Sequence, residues 1–268
     1  MEHVTVQGVE VPAIGLGTWQ LTGHECYEAV STALDMGYRH VDTAQMYDNE
    51  RQVGRAIRDA DAAREDIFLT TKLRPTNARY DDVIRSTKGS LDRLDTDYVD
   101  LLLLHWPNPL VDFADTARAM AHLRDEGLID HAGVSNFRRW RLAKAREKSP
   151  IPLLADQVKV QPVYTHEAVR EFCVEQDMLV TAYSPLARGS ILDDDVLREI
   201  GARYDKSPAQ VALRWATQLE NVAAIPKSSN PDHLEANLDI FDFELTASEH
   251  DRITRPSLLK AAALTFGL

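Results

Sequence analysis

Residues 99–105 read Val-Asp-Leu-Leu-Leu-Leu-His, an apolar run with no polar alternation after Asp100. A strand that is apolar on both faces belongs in a parallel sheet covered by helices, because a surface antiparallel strand would show one polar face. Seven further strand-like runs are expected at Ile14–Thr18, Arg39–Asp42, Ile67–Lys72, Ile129–Val134, Ala155–Val160, Leu179–Tyr183 and Val222–Ile225. Between them lie helical spacings, such as Val83, Thr87, Leu91 and Leu94, or Val169, Phe172 and Cys173. Eight strands alternating with helices predict an α/β fold, and its simplest closure is a (β/α)8 TIM barrel. Val4 and Val6, then Gly8, Val9 and Val11, read as an N-terminal β-hairpin able to plug one end. After the seventh strand, Asp193–Tyr204 and Ser207–Leu219 read as two extra helices, the second capped by Ser207 with Pro208 in its first turn. A short helix is expected after Phe243, followed by an apolar tail over residues 258–264 that would cover the barrel or an oligomer contact.

The 268 residues, 44% of them hydrophobic, suffice for one large core, so residues 1–268 are expected to form a single domain. A formal charge of −12 offers no basic face for phosphates, so no nucleic acid and no membrane surface is expected as a partner. The two cysteines, Cys26 and Cys173, make neither a disulfide framework nor a zinc spacing, and no metal is expected. The N-terminus lacks a signal-peptide pattern and no apolar segment approaches a membrane span. A cytoplasmic, monomeric protein is the expectation.

In such barrels the site is built at the C-terminal ends of the strands. Those ends carry Asp42 with Tyr47, then Lys72, His105, Ser135-Asn136, Gln157, Tyr183-Ser184 and Lys227-Ser228. Lys72 alone reads as a surface charge, and His105 alone as a satisfied core histidine. Their common position is what those readings leave unexplained. A phenol with a pKa near 10 is a poor proton donor at neutral pH unless a cation stabilises its phenolate. Lys72 is the candidate cation for Tyr47, Asp42 the anion that permits its burial, and a neutral His105 can hydrogen-bond a carbonyl oxygen. The four together make a tuned general acid. Asp48 or Asn49 is expected to cap the helix that follows Tyr47.

Asp42-x4-Tyr47, Thr71-Lys72, His105-Trp106-Pro107, Ser135-Asn136-Phe137, Tyr183-Ser184-Pro185-Leu186 and Ile225-Pro226-Lys227-Ser228 resemble the motifs of the aldo-keto reductases, from Gly15-Leu16-Gly17-Thr18 to about Asn237. The run from Asp42 to Glu50 is most similar to the 2,5-diketo-D-gluconic acid reductase branch. The resemblance implies a barrel enzyme that uses NADPH to reduce a small carbonyl substrate, with Tyr47 as proton donor, Lys72 and Asp42 tuning it, and His105 orienting the substrate. It implies that Ser135, Asn136 and Gln157 hold the nicotinamide carboxamide and Tyr183 stacks beneath the ring. Ser184, Leu186 and Gly189 would follow the pyrophosphate, Lys227 and Ser228 would meet the 2′-phosphate, and Gly17, Thr18, Asp42, Ser229, His233 and Asn237 would complete the cofactor site. Asn230 and Pro231 read as a helix start, which attracts phosphate.

The chain departs from the family pattern at His233 and Ala236, where Arg and Glu are common, so the grip on a 2′-phosphate should weaken and NADH becomes an alternative. Asp156 stands where Asn is frequent, and Gln161 where His is. Arg74, two residues beyond Lys72, is a candidate for a substrate carboxylate, or else a solvated arginine. Trp19, Trp106 and Tyr27 are candidates for the pocket wall. Two rival readings are a Schiff-base aldolase using Lys72 and a nicotinamide-binding sensor or accessory subunit with slow turnover. The first does not explain Tyr183 or Lys227-Ser228, and the intact tetrad argues against the second.

Overall fold

The computed structural model describes residues 2–162 and 164–254. A hairpin of β1 (His3–Val6) and β2 (Val9–Pro12) precedes eight parallel strands in sequential order: β3 (Leu16–Gly17), β4 (His40–Asp42), β5 (Phe68–Leu73), β6 (Val99–Leu104), β7 (Ile129–Ser135), β8 (Leu153–Lys159), β9 (Leu179–Tyr183) and β10 (Val222–Ile225). A parallel bridge from Ile14 to Ala224 joins the last strand to the first and closes the barrel. The seam is tight, since a Cβ on Gly17 would lie 2.8 Å from the carbonyl oxygen of Ile225. A side chain there would wedge the barrel open.

Alternation along each strand sorts side chains into two cores. On β6, Leu101 and Leu103 belong to a small cluster inside the barrel with Phe68, Leu154, Leu179 and Ala223. Leu102 and Leu104 belong instead to the large cluster between strands and helices. The four leucines therefore serve two environments, which explains why the run lacks a polar face. The hairpin adds Val6 and Val11 to the interior cluster. Its tip is anchored where Gln7 N donates to Asp177 and Gln7 Nε2 donates to Leu153 O, both at strand beginnings. The hairpin thus plugs the N-terminal end, as its sequence predicts.

The outer layer comprises α1 (Gly23–Asp35), α2 (Glu50–Asp59), α3 (Tyr80–Leu94), α4 (Phe113–Asp125), α5 (Arg139–Lys148), α6 (Glu167–Glu175), α7 (Asp195–Tyr204), α8 (Pro208–Thr217), α9 (Pro231–Leu238) and α10 (Ala247–Thr254). Between β9 and β10 the chain makes the two helices α7 and α8, the latter held by a capping box of Ser207 and Gln210. The predicted apolar tail lies outside the described residues. No helix among the described residues is long and apolar enough to cross a membrane.

Candidate active site

The alternation that places Phe68 inside the barrel also brings Thr70 and Lys72 inward, and on β4 it does the same for His40 and Asp42. Lys72 is fully buried. Its Nζ donates to Asp42 Oδ1 at 2.5 Å, to Thr43 O at 2.8 Å and to the Tyr47 hydroxyl at 3.2 Å. All three donor directions of the ammonium are therefore occupied, which is the condition for keeping such a charge out of water. Tyr47 ends a 3-10 turn over Gln45–Tyr47, and its ring meets the His105 ring edge-on at 5.6 Å. The structure thus brings Tyr47, Lys72, Asp42 and His105 into one cluster.

Burial pushes the Tyr47 phenol above its ordinary pKa; the Lys72 charge pulls it down without prevailing, and Asp42 adds to the rise. The simple expectation that Lys72 makes the phenol acidic therefore needs correction: burial outweighs the ammonium, and Tyr47 keeps its proton at neutral pH. For Lys72, burial works against the charge, but Asp42 and Tyr47 overcome it and the ammonium is held. Burial and the Lys72 charge push His105 down to about 3, so its imidazole is neutral at neutral pH. Its buried Nδ1 has no hydrogen-bond partner among the described residues. The tautomer protonated on Nε2 avoids burying an unpaired N–H, and leaves that N–H as a donor.

Around this cluster lies a cleft of about 350 Å³ whose lining includes Gly17, Trp19, His105, Trp106, Tyr183 and Lys227. Ser135, Asn136, Gln157 and Ser184 reach the same cleft. Gln157 Nε2 donates to Asp42 Oδ2 at 2.6 Å, and Ser135 Oγ donates to Gln157 O at 2.8 Å. Asn136 adopts a left-handed backbone and donates to His105 O and Ser135 Oγ, while accepting from the Tyr183 hydroxyl at 2.9 Å. This floor of side-chain amides and hydroxyls beside a tyrosine ring has the donor and acceptor chemistry that a nicotinamide carboxamide requires. Thr18 is one shell removed, its hydroxyl and N–H both donating to Asp42 O.

Further out the predicted residues separate. Lys227, Ser229 and His233 are exposed, whereas Ser228 is turned inward against Asn230, and buried Asn237 lies beside Tyr38, whose hydroxyl donates to Leu234 O. Asn230 caps α9 by accepting from Asp232 N, so one first-turn donor of that helix is already satisfied and an acid sits beside it. Leu186 and Gly189 lie on the loop after β9, outside the cleft lining.

Arg74 does not face the cleft. Its guanidinium donates to Gln45 O at 2.8 and 3.2 Å and to Asp48 Oδ1 at 2.8 Å, gripping the turn that carries Tyr47 from behind. The Gln45 side chain completes that brace through Arg74 N, Asn77, Ser86 O and Ser90. Tyr27 is also outside the wall, with its hydroxyl on Asp59 and Arg55 over its ring. Asn49, not Asp48, precedes α2, but its side chain does not cap the helix. It accepts from Thr43 and donates to Thr18 O and Leu21 O, fastening the first strand to the Tyr47 turn. The sequence reading missed Met46, Arg188 and Ile225, which all line the cleft. Arg188 has a signal in its place beside Leu186 and Gly189, and Ile225 in its place at a strand end before Lys227; Met46 has none beyond its proximity to Tyr47.

The aldo/keto reductase family profile matches residues 13–256. Glyoxal reductase of Bacillus subtilis is 40% identical over 92% of this chain and 89% of its own. The 2,5-diketo-D-gluconic acid reductase B of a Corynebacterium species is 40% identical over 90% of this chain and 87% of its own. A crystal structure of a mutant of the protein Gox0644 in complex with NADPH superposes with a TM-score of 0.89 at 34% identity, covering 94% of this chain and 92% of that one. On that coverage and identity the chain belongs to the aldo/keto reductase family, and its reaction is the reduction of carbonyl compounds with a nicotinamide cofactor.

Proposed function

We propose that Tyr47 is the proton donor in this reduction, with Lys72 and Asp42 holding it ready and His105 orienting the substrate oxygen. The observation that carries the reading is the 3.2 Å contact of the Lys72 ammonium with the Tyr47 hydroxyl, backed by the 2.5 Å ion pair to Asp42. A phenol kept protonated by burial is a loaded donor, and an ammonium beside it stabilises the phenolate left after transfer. His105, neutral, donates from Nε2 to the carbonyl oxygen and directs it toward Tyr47. A bound nicotinamide cofactor supplies the hydride.

Ser135, Asn136 and Gln157 would hold its carboxamide and Tyr183 would lie against its ring. Lys227, an exposed cation at the cleft with no carboxylate partner among the described residues, favours NADPH over NADH. His233 lacks the guanidinium fork, so the preference should be modest. The test is Tyr47→Phe: kcat should fall by roughly 10²–10⁴, the range for a positioned general acid, while NADPH binding followed by fluorescence is retained. Unchanged kcat would remove the assignment, and equal affinity for NADPH and NADH would remove the cofactor preference.

A further inference from the structure

Arg188 lies in the loop after β9, where Ser184, Ala187, Arg188 and Gly189 all have left-handed backbones, with Arg188 at φ +56. For residues other than glycine that conformation is strained, and such strain collects where a side chain must be aimed. The outcome is a guanidinium at the cleft, 4.8 Å over the ring of Trp19, which is itself 40% exposed. Among the described residues no carboxylate lies within ion-pair distance of it. Arg74, by contrast, has its charge matched by Asp48 and faces away.

The charges of the cleft sharpen the point. Asp42 is neutralised by Lys72 beneath it, and His105 is neutral, so Arg188 and Lys227 leave the lining net positive on a chain of charge −12. A positive cleft in an acidic protein selects anions and steers them inward. A guanidinium held over an indole ring still has its in-plane N–H groups to offer, and their fork matches a carboxylate.

We propose that Arg188 is a specificity-determining residue that receives the carboxylate of an anionic carbonyl substrate, such as a 2-oxo acid or an oxidised sugar acid. The inference rests on the proton-donor reading above and names the substrate class of the same site. Phenylglyoxylate and its methyl ester, reduced with NADPH, form a matched pair that differs in one charge. In the wild-type protein the acid is the better substrate by kcat/KM. In Arg188→Gln the acid-to-ester ratio should fall about tenfold, through KM of the acid, with Arg188→Lys restoring part of it and Arg188→Glu lowering it further. The Kd of NADPH, read by fluorescence, should not move. An unchanged ratio with a raised NADPH Kd would mean that the guanidinium serves a cofactor phosphate, and would overturn the inference. Reduction of the ester without any preference for the acid overturns it while leaving the role of Tyr47 intact. Reduction of neither compound overturns both.

Discussion

The two ends of the barrel are made by the same strands and have opposite characters. At the N-terminal end the interior is filled by Phe68, Leu101, Leu154 and Leu179 over Val6 and Val11 of the hairpin. At the C-terminal end, four residues on from Phe68 and four on from Leu101, the interior holds Lys72 and His105. One end stores cohesion and the other stores chemistry. Because alternation gives each strand inward positions at both ends, a single sequence period supplies the plug and the site at once.

That contrast can be broken residue by residue. The largest effect is expected from Tyr47→Phe, which takes away catalysis at the mouth but should leave the thermal midpoint nearly where it was. Lys72→Met is the case where the two properties meet. It strands the buried Asp42 carboxylate, so it should cost about 3–5 kcal/mol in chemical denaturation as well as activity. Leu179→Ala, at the first residue of β9, probes the other end: a cavity there should lower stability by about 2–5 kcal/mol while kcat and KM per folded molecule stay the same. A loss of kcat in Leu179→Ala without unfolding would show that the ends are coupled.

The smallest effect concerns Asp156, fully buried on the outer side of β8, where one carboxylate oxygen accepts only from Phe137 N and the other has no partner among the described residues. Burial raises its carboxyl well above the ordinary range, with the Phe137 N–H opposing. The folded chain therefore keeps a proton that the unfolded chain releases above pH ~4, and stability from this group falls as pH rises. Asp156→Asn should raise the thermal midpoint more at pH 8 than at pH 4. Equal gains at both would show that the acid is not held protonated.

Much of this is legible in the sequence. The leucine run, the hairpin valines and the Ser207-Pro208 cap each report a local rule, and the strands and helices they predict lie within a few residues of those observed. The four residues at the strand ends were legible for the same reason, since a strand end fixes which rim a side chain occupies. What stayed hidden depends on contacts between loops. Arg74 follows Lys72 by two residues, yet its guanidinium is captured by Gln45 and Asp48 from another loop. Asn49 looked like a helix cap and became a strap between segments. Arg188 is turned into the cleft by a run of left-handed residues, of which only Gly189 is of a type that announces such a conformation. Net pKa values were equally hidden, because the sequence names the neighbouring charge and not the depth of burial.

The four consecutive leucines of β6 also bear on how such a chain can change. Each is interchangeable with another apolar residue of similar bulk, but the stretch cannot gain or lose one member. A single inserted residue would send Leu101 and Leu103 outward, bring Leu102 and Leu104 in, and rotate the position that follows, so that the imidazole would point into the helical layer. Tolerance to insertion is therefore confined to the stretches beyond the strand ends, such as the segment bearing Arg188. Preference for new substrates can drift there while the proton-transfer machinery stays in register.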